Sequence, residues 1–219
     1  MKNNRLQKKV SWPYVLCLTF SLLLTGCINR EIKNLDSQGS RIICLGDSIT
    51  FGYGVSPGQD YPTALSKMMS MPVVNLGIDG DTSAEALKRV DSDLLGRDPL
   101  LVIVEFGGND FLRKVPAEEA ADNIAKIVRK AQEKGAMAAI VDVSAGLLMS
   151  EYRGAYAKVA KENQAIFVPS VLSGIITNPG LKSDFLHPNS RGYQIVAQRV
   201  YRAILPYLNR NNFLRRSGR

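Results

Sequence analysis

A chain of 219 residues with 45% hydrophobic content is long enough to bury a full core, and its composition gives no sign of disorder. The net charge of +8 sits at the two ends: Lys2, Arg5, Lys8 and Lys9 precede Gly26 with no acid among them, and Arg210, Arg215, Arg216 and Arg219 close the chain. With those eight set aside the body holds twenty basic and twenty acidic residues, a balance that does not suggest the basic face of a nucleic-acid binder.

The amino end has the three parts of a targeting signal: the basic stretch MKNNRLQKK, a mostly apolar run from Val10 to Leu24, and Leu24-Thr25-Gly26-Cys27. Pro13 breaks the apolar run, which is also short of the roughly 20 residues that span a bilayer. Residues 1–26 therefore read as a signal peptide. Leu-Thr-Gly-Cys resembles the bacterial lipobox, in which the cysteine becomes the lipidated first residue of the mature chain; the alternative is a plain secretory signal with a chance cysteine. Acylation of Cys27 would hold the protein to a membrane of the bacterial envelope, facing the periplasm or the exterior, because two or three acyl chains anchor stably. Cys17 leaves with the signal and Cys27 is consumed by lipid, so Cys44 alone remains, in an apolar run that points to buried packing.

From 28 to 40 the sequence INREIKNLDSQGS is polar and reads as a tether following Cys27, about 45 Å long at full extension. The domain is then expected over 41–209, with 210–219 a basic tail. Within it, β-rich runs at Ile42–Leu45, Val73–Leu76, Leu100–Phe106, Ala138–Val143 and Ile166–Val168 alternate with amphipathic stretches at Tyr61–Met69, Ser83–Leu95, Ala117–Lys134, Glu151–Lys161 and Ser190–Leu208. In the longest central stretch Ala121, Ile124, Ile127, Val128 and Ala131 recur at three- and four-residue steps, Lys and Glu fill the other face, and Gly135 supplies the stop. Strands alternating with helices predict an α/β fold, a three-layer α/β/α sandwich around a five-stranded parallel sheet, with the flavodoxin-like order 2-1-3-4-5.

Ligands of such sheets bind outside the carboxyl ends of the strands. Polar clusters follow four of the runs there: Gly46-Asp47-Ser48, then Gly77 to Ser83, then Gly107-Gly108-Asn109-Asp110, and, after the fifth and a loop, Ser183 to Asn189. This ordered set resembles the SGNH hydrolases, also called GDSL esterases, over Arg41 to about Leu208. Ser48, Gly80, Asn109 and His187 match the four residues that give the family its name, and Asp184 matches its Asp-x-x-His. GDSIT, GDTS and GGND are most similar to the bacterial thioesterase I, lysophospholipase L1 and arylesterase group. The resemblance implies Ser48, His187 and Asp184 as the catalytic residues, and Ser48, Gly80 and Asn109 as donors to the oxyanion.

The residue chemistry is compatible with that assignment. A serine hydroxyl needs a base within hydrogen-bond reach, and this chain has a single histidine, three residues after Asp184 and followed by Pro188. Ser48 could instead be a helix N-cap, Asn109 a turn residue and His187 a loop histidine. Asp79, Asp81 and Asp110 suit turns and caps better than a metal site, since no histidine joins them, and neither metal nor cofactor is expected. The run Gly52 to Gly58 imitates a phosphate loop but lacks the Lys-Ser/Thr ending. Ser48, in Gly46-Asp47-Ser48-Ile49-Thr50, does not stand in a Gly-x-Ser-x-Gly elbow.

The expected activity is hydrolysis of small acyl esters, thioesters or lysolipids through an acyl-enzyme. An envelope carbohydrate O-deacetylase, an inactive SGNH-fold binding lipoprotein and a nucleotide-binding module are the alternatives. Leu147, Leu148 and Met149, an apolar run after the fourth strand, are candidates to line an acyl groove or, equally, to pack the start of the next helix.

Overall fold

A computed structural model of the protein describes residues 31–147 and 149–212. The expected signal peptide, Cys27, Leu148 and residues 213–219 lie outside the described residues. Five parallel strands, β1 (Arg41–Gly46), β2 (Val73–Gly77), β3 (Pro99–Glu105), β4 (Met137–Val141) and β5 (Ile166–Val168), form one sheet in the order β2-β1-β3-β4-β5. The flanking helices are α1 (Ser48–Phe51), α2 (Tyr61–Met69), α3 (Ser83–Leu94), α4 (Gly108–Leu112), α5 (Ala117–Glu133), α6 (Ser150–Glu162) and α7 (Ser190–Arg210). The α/β class, the sheet and its order agree with the expectation. α1 and α4 are additions at the carboxyl ends of β1 and β3.

Alternation along the central strands divides the core. Ile42 and Cys44 of β1, with Leu101 and Ile103 of β3, pack under α2 and α7, while Ile43, Leu45, Val102 and Val104 pack under α3, α5 and α6. Both faces of these strands are covered, as parallel sheets require. The helices supply matching stripes: Val196, Val200, Ile204 and Leu208 on α7, and Ile124, Ile127, Val128 and Ala131 on α5. Each fully buried Ile, Leu or Val contributes about 1.5–3 kcal/mol, so the sheet is a stiff platform for what its rim carries. Among the described residues no helix is long and apolar enough to cross a membrane.

The packed body begins earlier than expected. Residues 31–40 are not a free tether: Asn34 Nδ2 donates to the carbonyls of Gln132 and Ala136 at 2.8 and 2.9 Å, and the Lys33 N–H donates to Gln164 O at 2.9 Å. Asn211, just past α7, reaches back to the carbonyls of Leu35 and Ser37. Ile32 and Leu35 rest on the α2/α7 core. Two apolar side chains and a handful of backbone acceptors suffice to hold a stretch whose composition is otherwise polar.

Candidate active site

The four polar clusters lie at the carboxyl ends of the strands or, for 183–189, at the start of α7. β1 ends in Gly46, and the chain turns at once into α1. Asp47 is the cap of that helix, its Oδ1 accepting from the Ile49 N–H at 3.0 Å, so the capping role considered for Ser48 falls one residue earlier. Ser48 is the first helical residue, 7% exposed, and its amide precedes the first intrahelical bond.

Asp184 and His187 sit in a loop that closes on itself. Ser183 N–H donates to His187 O, Asn189 N–H donates to Leu181 O, and Lys182 pairs with Pro188 in an antiparallel bridge. Asn189 also caps α7 through the Arg191 and Gly192 amides. Inside this ring Asp184 Oδ1 accepts from the amides of Leu186 and His187 at 2.7 and 2.8 Å, and Oδ2 lies 2.8 Å from His187 Nδ1. His187 Nε2 reaches Ser48 Oγ at 3.0 Å. With the carboxylate on Nδ1–H, Nε2 carries the lone pair that accepts from the hydroxyl. Partial burial works against charge on Asp184, but the His187 amide and ring and the Leu186 amide outweigh it and hold the carboxyl below the ordinary range.

Asn109 follows β3 in α4. Its Nδ2 donates to Asp81 O at 2.9 Å and lies 3.3 Å from Asp47 Oδ2, which ties β3's turn to the loop after β2 and to the residue before Ser48. Gly80 lies in that loop with φ +83°, a left-handed conformation that favours glycine, and its carbonyl accepts from Arg113 at 2.9 Å. Asn109, the loop that holds Gly80 and the turn before Ser48 therefore come to one rim. Asp81 pairs with Arg89 at 2.7 Å and Asp110 accepts from Ser83 N–H and Oγ at 3.0 and 2.6 Å, so both serve the turn and α3.

Leu147 is 92% exposed and Met149 partly buried; both line a groove of ≈ 690 Å³ with Phe111, Leu112, Val115 and Tyr152. Met149 also packs against the core and caps α6 without a side-chain bond, so of the pair only Leu147 is unengaged by packing. Two residues that sequence reasoning did not single out also shape the site. Tyr53, in the run that imitates a phosphate loop, lies with its ring centroid 4.5 Å from that of His187, its carbonyl accepting from Tyr193 Oη at 3.1 Å. Glu105, wholly buried at the end of β3, accepts from Thr50 N–H and Oγ1 at 3.1 and 2.7 Å behind α1.

A hydroxyl, an imidazole and a carboxylate stand in hydrogen-bonded series at the carboxyl ends of a parallel sheet, with Gly80 and Asn109 beside them. Residues 44–195 match the GDSL-like Lipase/Acylhydrolase family, and the chain belongs to it as an ester hydrolase. It is 28% identical over 199 residues to "Esterase TesA" of Pseudomonas aeruginosa, covering 86% of this chain and 99% of the relative. The "Arylesterase" of Vibrio mimicus is 28% identical over 200 residues, covering 86% and 98%. Among solved structures, psychrotrophic esterase EstA from Pseudoalteromonas sp., inhibited by monoethylphosphonate, superposes with a TM-score of 0.71 at 26% identity over 78% of this chain and 99% of that one.

Proposed function

We propose that the protein is a serine-dependent acyl-ester hydrolase that works through an acyl-enzyme at the bacterial cell envelope, held to a membrane by lipidated Cys27. The observation that carries the chemistry is the 3.0 Å contact of Ser48 Oγ with His187 Nε2, whose Nδ1 is already engaged by Asp184. Ser48 Oγ attacks the ester carbonyl carbon while its proton passes to Nε2, and Asp184 stabilises the imidazolium. The oxyanion takes hydrogen bonds from the Ser48 and Gly80 amides and from Asn109 Nδ2. Collapse expels the alcohol or thiol, which leaves with the Nε2 proton; water then attacks the acyl-serine, giving its proton to Nε2, and free Ser48 is regenerated as the acid departs.

The groove is not lined by Ser48, Gly80, Asn109 or His187, but its Phe111 stands two residues after Asn109 on α4, and an acyl chain longer than acetyl extending into it favours an esterase over a carbohydrate O-deacetylase. A p-nitrophenyl ester panel is the test: kcat/KM rises from acetate through butyrate to octanoate, and a fluorophosphonate probe labels Ser48. Preference for acetate would return the deacetylase reading, and absence of labelling the binding-protein one. In the same panel Leu147→Ala lowers kcat/KM for octanoate roughly 10- to 60-fold, since two or three methylenes lose contacts worth about 0.8 kcal/mol each, and leaves acetate alone. Because Leu147 is exposed in the free protein, the melting temperature stays put. A uniform loss across chain lengths would put the acyl pocket elsewhere.

The anchor is tested separately. Only 28–30 separate Cys27 from the packed body. Cys27→Ser is expected to move the mature chain from the membrane to the soluble fraction with unchanged specific activity, and retention on membranes would remove the lipid from the proposal.

A further inference from the structure

Two carboxyl groups lie directly behind the nucleophile and take no part in the steps above. Asp47 is 1% exposed and Glu105 wholly buried. Glu105 Oε2 has its two donors from Thr50, but Oε1 is buried with no hydrogen-bond partner among the described residues when both groups are anions. Glu105 is paired in register with Gly46, the residue before Asp47, and this brings the two buried carboxyl groups together. Space is tight there: a Cβ on Gly46 would stand 2.7 Å from Oε2. Two adjacent buried carboxylates repel each other and leave an acceptor orphaned, and one proton between them removes both defects.

We propose, resting on the serine-esterase function above, that Asp47 and Glu105 share a single proton, and that this proton is a positioning device for the oxyanion hole because it keeps Asp47 neutral and Asn109 available. Asp47 donates it and Glu105 Oε1 accepts it, while Asp47 Oδ1 keeps its bond from the Ile49 amide. Asn109 Nδ2 spends one hydrogen on Asp81 O, and the other has a choice between Asp47 Oδ2, at a long 3.3 Å, and the oxyanion. A neutral carboxyl leaves that contact weak. An ionised Asp47 would claim the hydrogen in a charge-assisted bond and set a full negative charge beside the one that develops on the substrate.

The surroundings agree with a retained proton. Burial first, then the Glu105 charge, pushes the Asp47 carboxyl well up; burial also raises Glu105, against the opposing donors from Thr50 and Asp47. Around the pair, the Cys44 thiol on β1 is pushed to about 12, and Tyr61 on α2, Tyr156 on α6 and Tyr193 on α7 are pushed up too, in every case chiefly by burial. Asp60 before α2 and Asp110 on α4 add negative charge, while His187 and Asp184 lie beyond Ser48. Arg89 on α3 donates to Gly46 O at 3.2 Å, but Asp81 and Asp93 already engage it. The pair titrates as a unit, and losing the shared proton gives the activity an alkaline limb.

The test combines kcat against pH with infrared spectra of the full chain and of two isosteric variants. Asp47→Asn places an amide donor on Glu105 with no proton to lose, so the alkaline limb disappears. Glu105→Gln removes the charge that helps hold the proton on Asp47 but not the burial that chiefly raises it, so the alkaline limb moves to lower pH, and above it kcat falls about 10- to 100-fold with KM nearly unchanged, as for a weakened oxyanion donor. At neutral pH the wild type shows the carbonyl stretch of a buried protonated carboxyl that Asp47→Asn lacks, and in the wild type and in Glu105→Gln the band fades over the pH range in which kcat falls. An alkaline limb surviving in Asp47→Asn, a limb unmoved in Glu105→Gln, or a wild-type spectrum without the band overturns the proposal. If neither variant folds, the wild-type band and its titration decide alone. A wild type inert toward every ester would sink the esterase function instead, and the band would still report the shared proton.

Discussion

Ser48→Ala is expected to lower kcat on p-nitrophenyl butyrate by about 10⁴-fold or more and to abolish labelling by a fluorophosphonate, with the fold intact. Among the described residues the hydroxyl is the one group within reach of His187 Nε2 that can attack a carbonyl, and without it the imidazole activates water. The fold survives because the α1 cap is Asp47 Oδ1 on the Ile49 amide, which an alanine at 48 does not touch. The Ser48 carbonyl, which accepts from Gly52 and Tyr53, is likewise unaffected. The proposed Ser48, Gly80 and Asn109 donors also remain, so slow residual turnover by water is compatible with the mechanism. More than about a hundredth of wild-type turnover, after correction for the uncatalysed rate, would be too much for a missing nucleophile.

The residues proposed to carry this chemistry were legible in the sequence for a different reason than the fold was. Strands and long helices announce themselves by periodicity: Ile42 and Cys44 against Ile43 and Leu45 on β1, or Ile124, Ile127, Val128 and Ala131 on α5. α1 and α4, at four and five residues, are too short for any period to register, and they hold Ser48 and Asn109. Those two were found through the ordered polar clusters around them. The docking of 31–40 was hidden because it depends on distant backbone carbonyls, those of Gln132 and Ala136 above all, which have no sequence signature. Glu105 left one available clue, a lone acid closing the otherwise apolar run of β3. A charge at the end of a fully buried strand calls for a partner, and the Thr50 donors and Asp47 supply it only once the chain has turned into α1.

Asp184→Asn separates the two things that Asp184 does. As a loop residue it accepts from the Leu186 and His187 amides through Oδ1, and an asparagine oxygen can keep both bonds. As the partner of His187 it accepts from Nδ1–H through Oδ2, and there an asparagine amide offers a donor instead. The imidazole must then accept at Nδ1 and carry its proton on Nε2, the tautomer that cannot take the proton of Ser48, and the imidazolium loses its counter-charge. The expected result near neutral pH is a fall in kcat of about 10⁴-fold with KM nearly unchanged. Asp184→Ala should lose activity and loop order together, whereas Asp184→Asn should keep the wild-type melting temperature. The depressed Asp184 carboxyl also contributes stability that is present above the ordinary carboxylate range and lost as pH falls through its folded value, so the wild type should lose more stability on acidification than the Asn variant. A loss of activity below about tenfold in Asp184→Asn would mean that the residue only shapes the 183–189 loop, and that His187 draws its orientation from Tyr53 and the backbone instead.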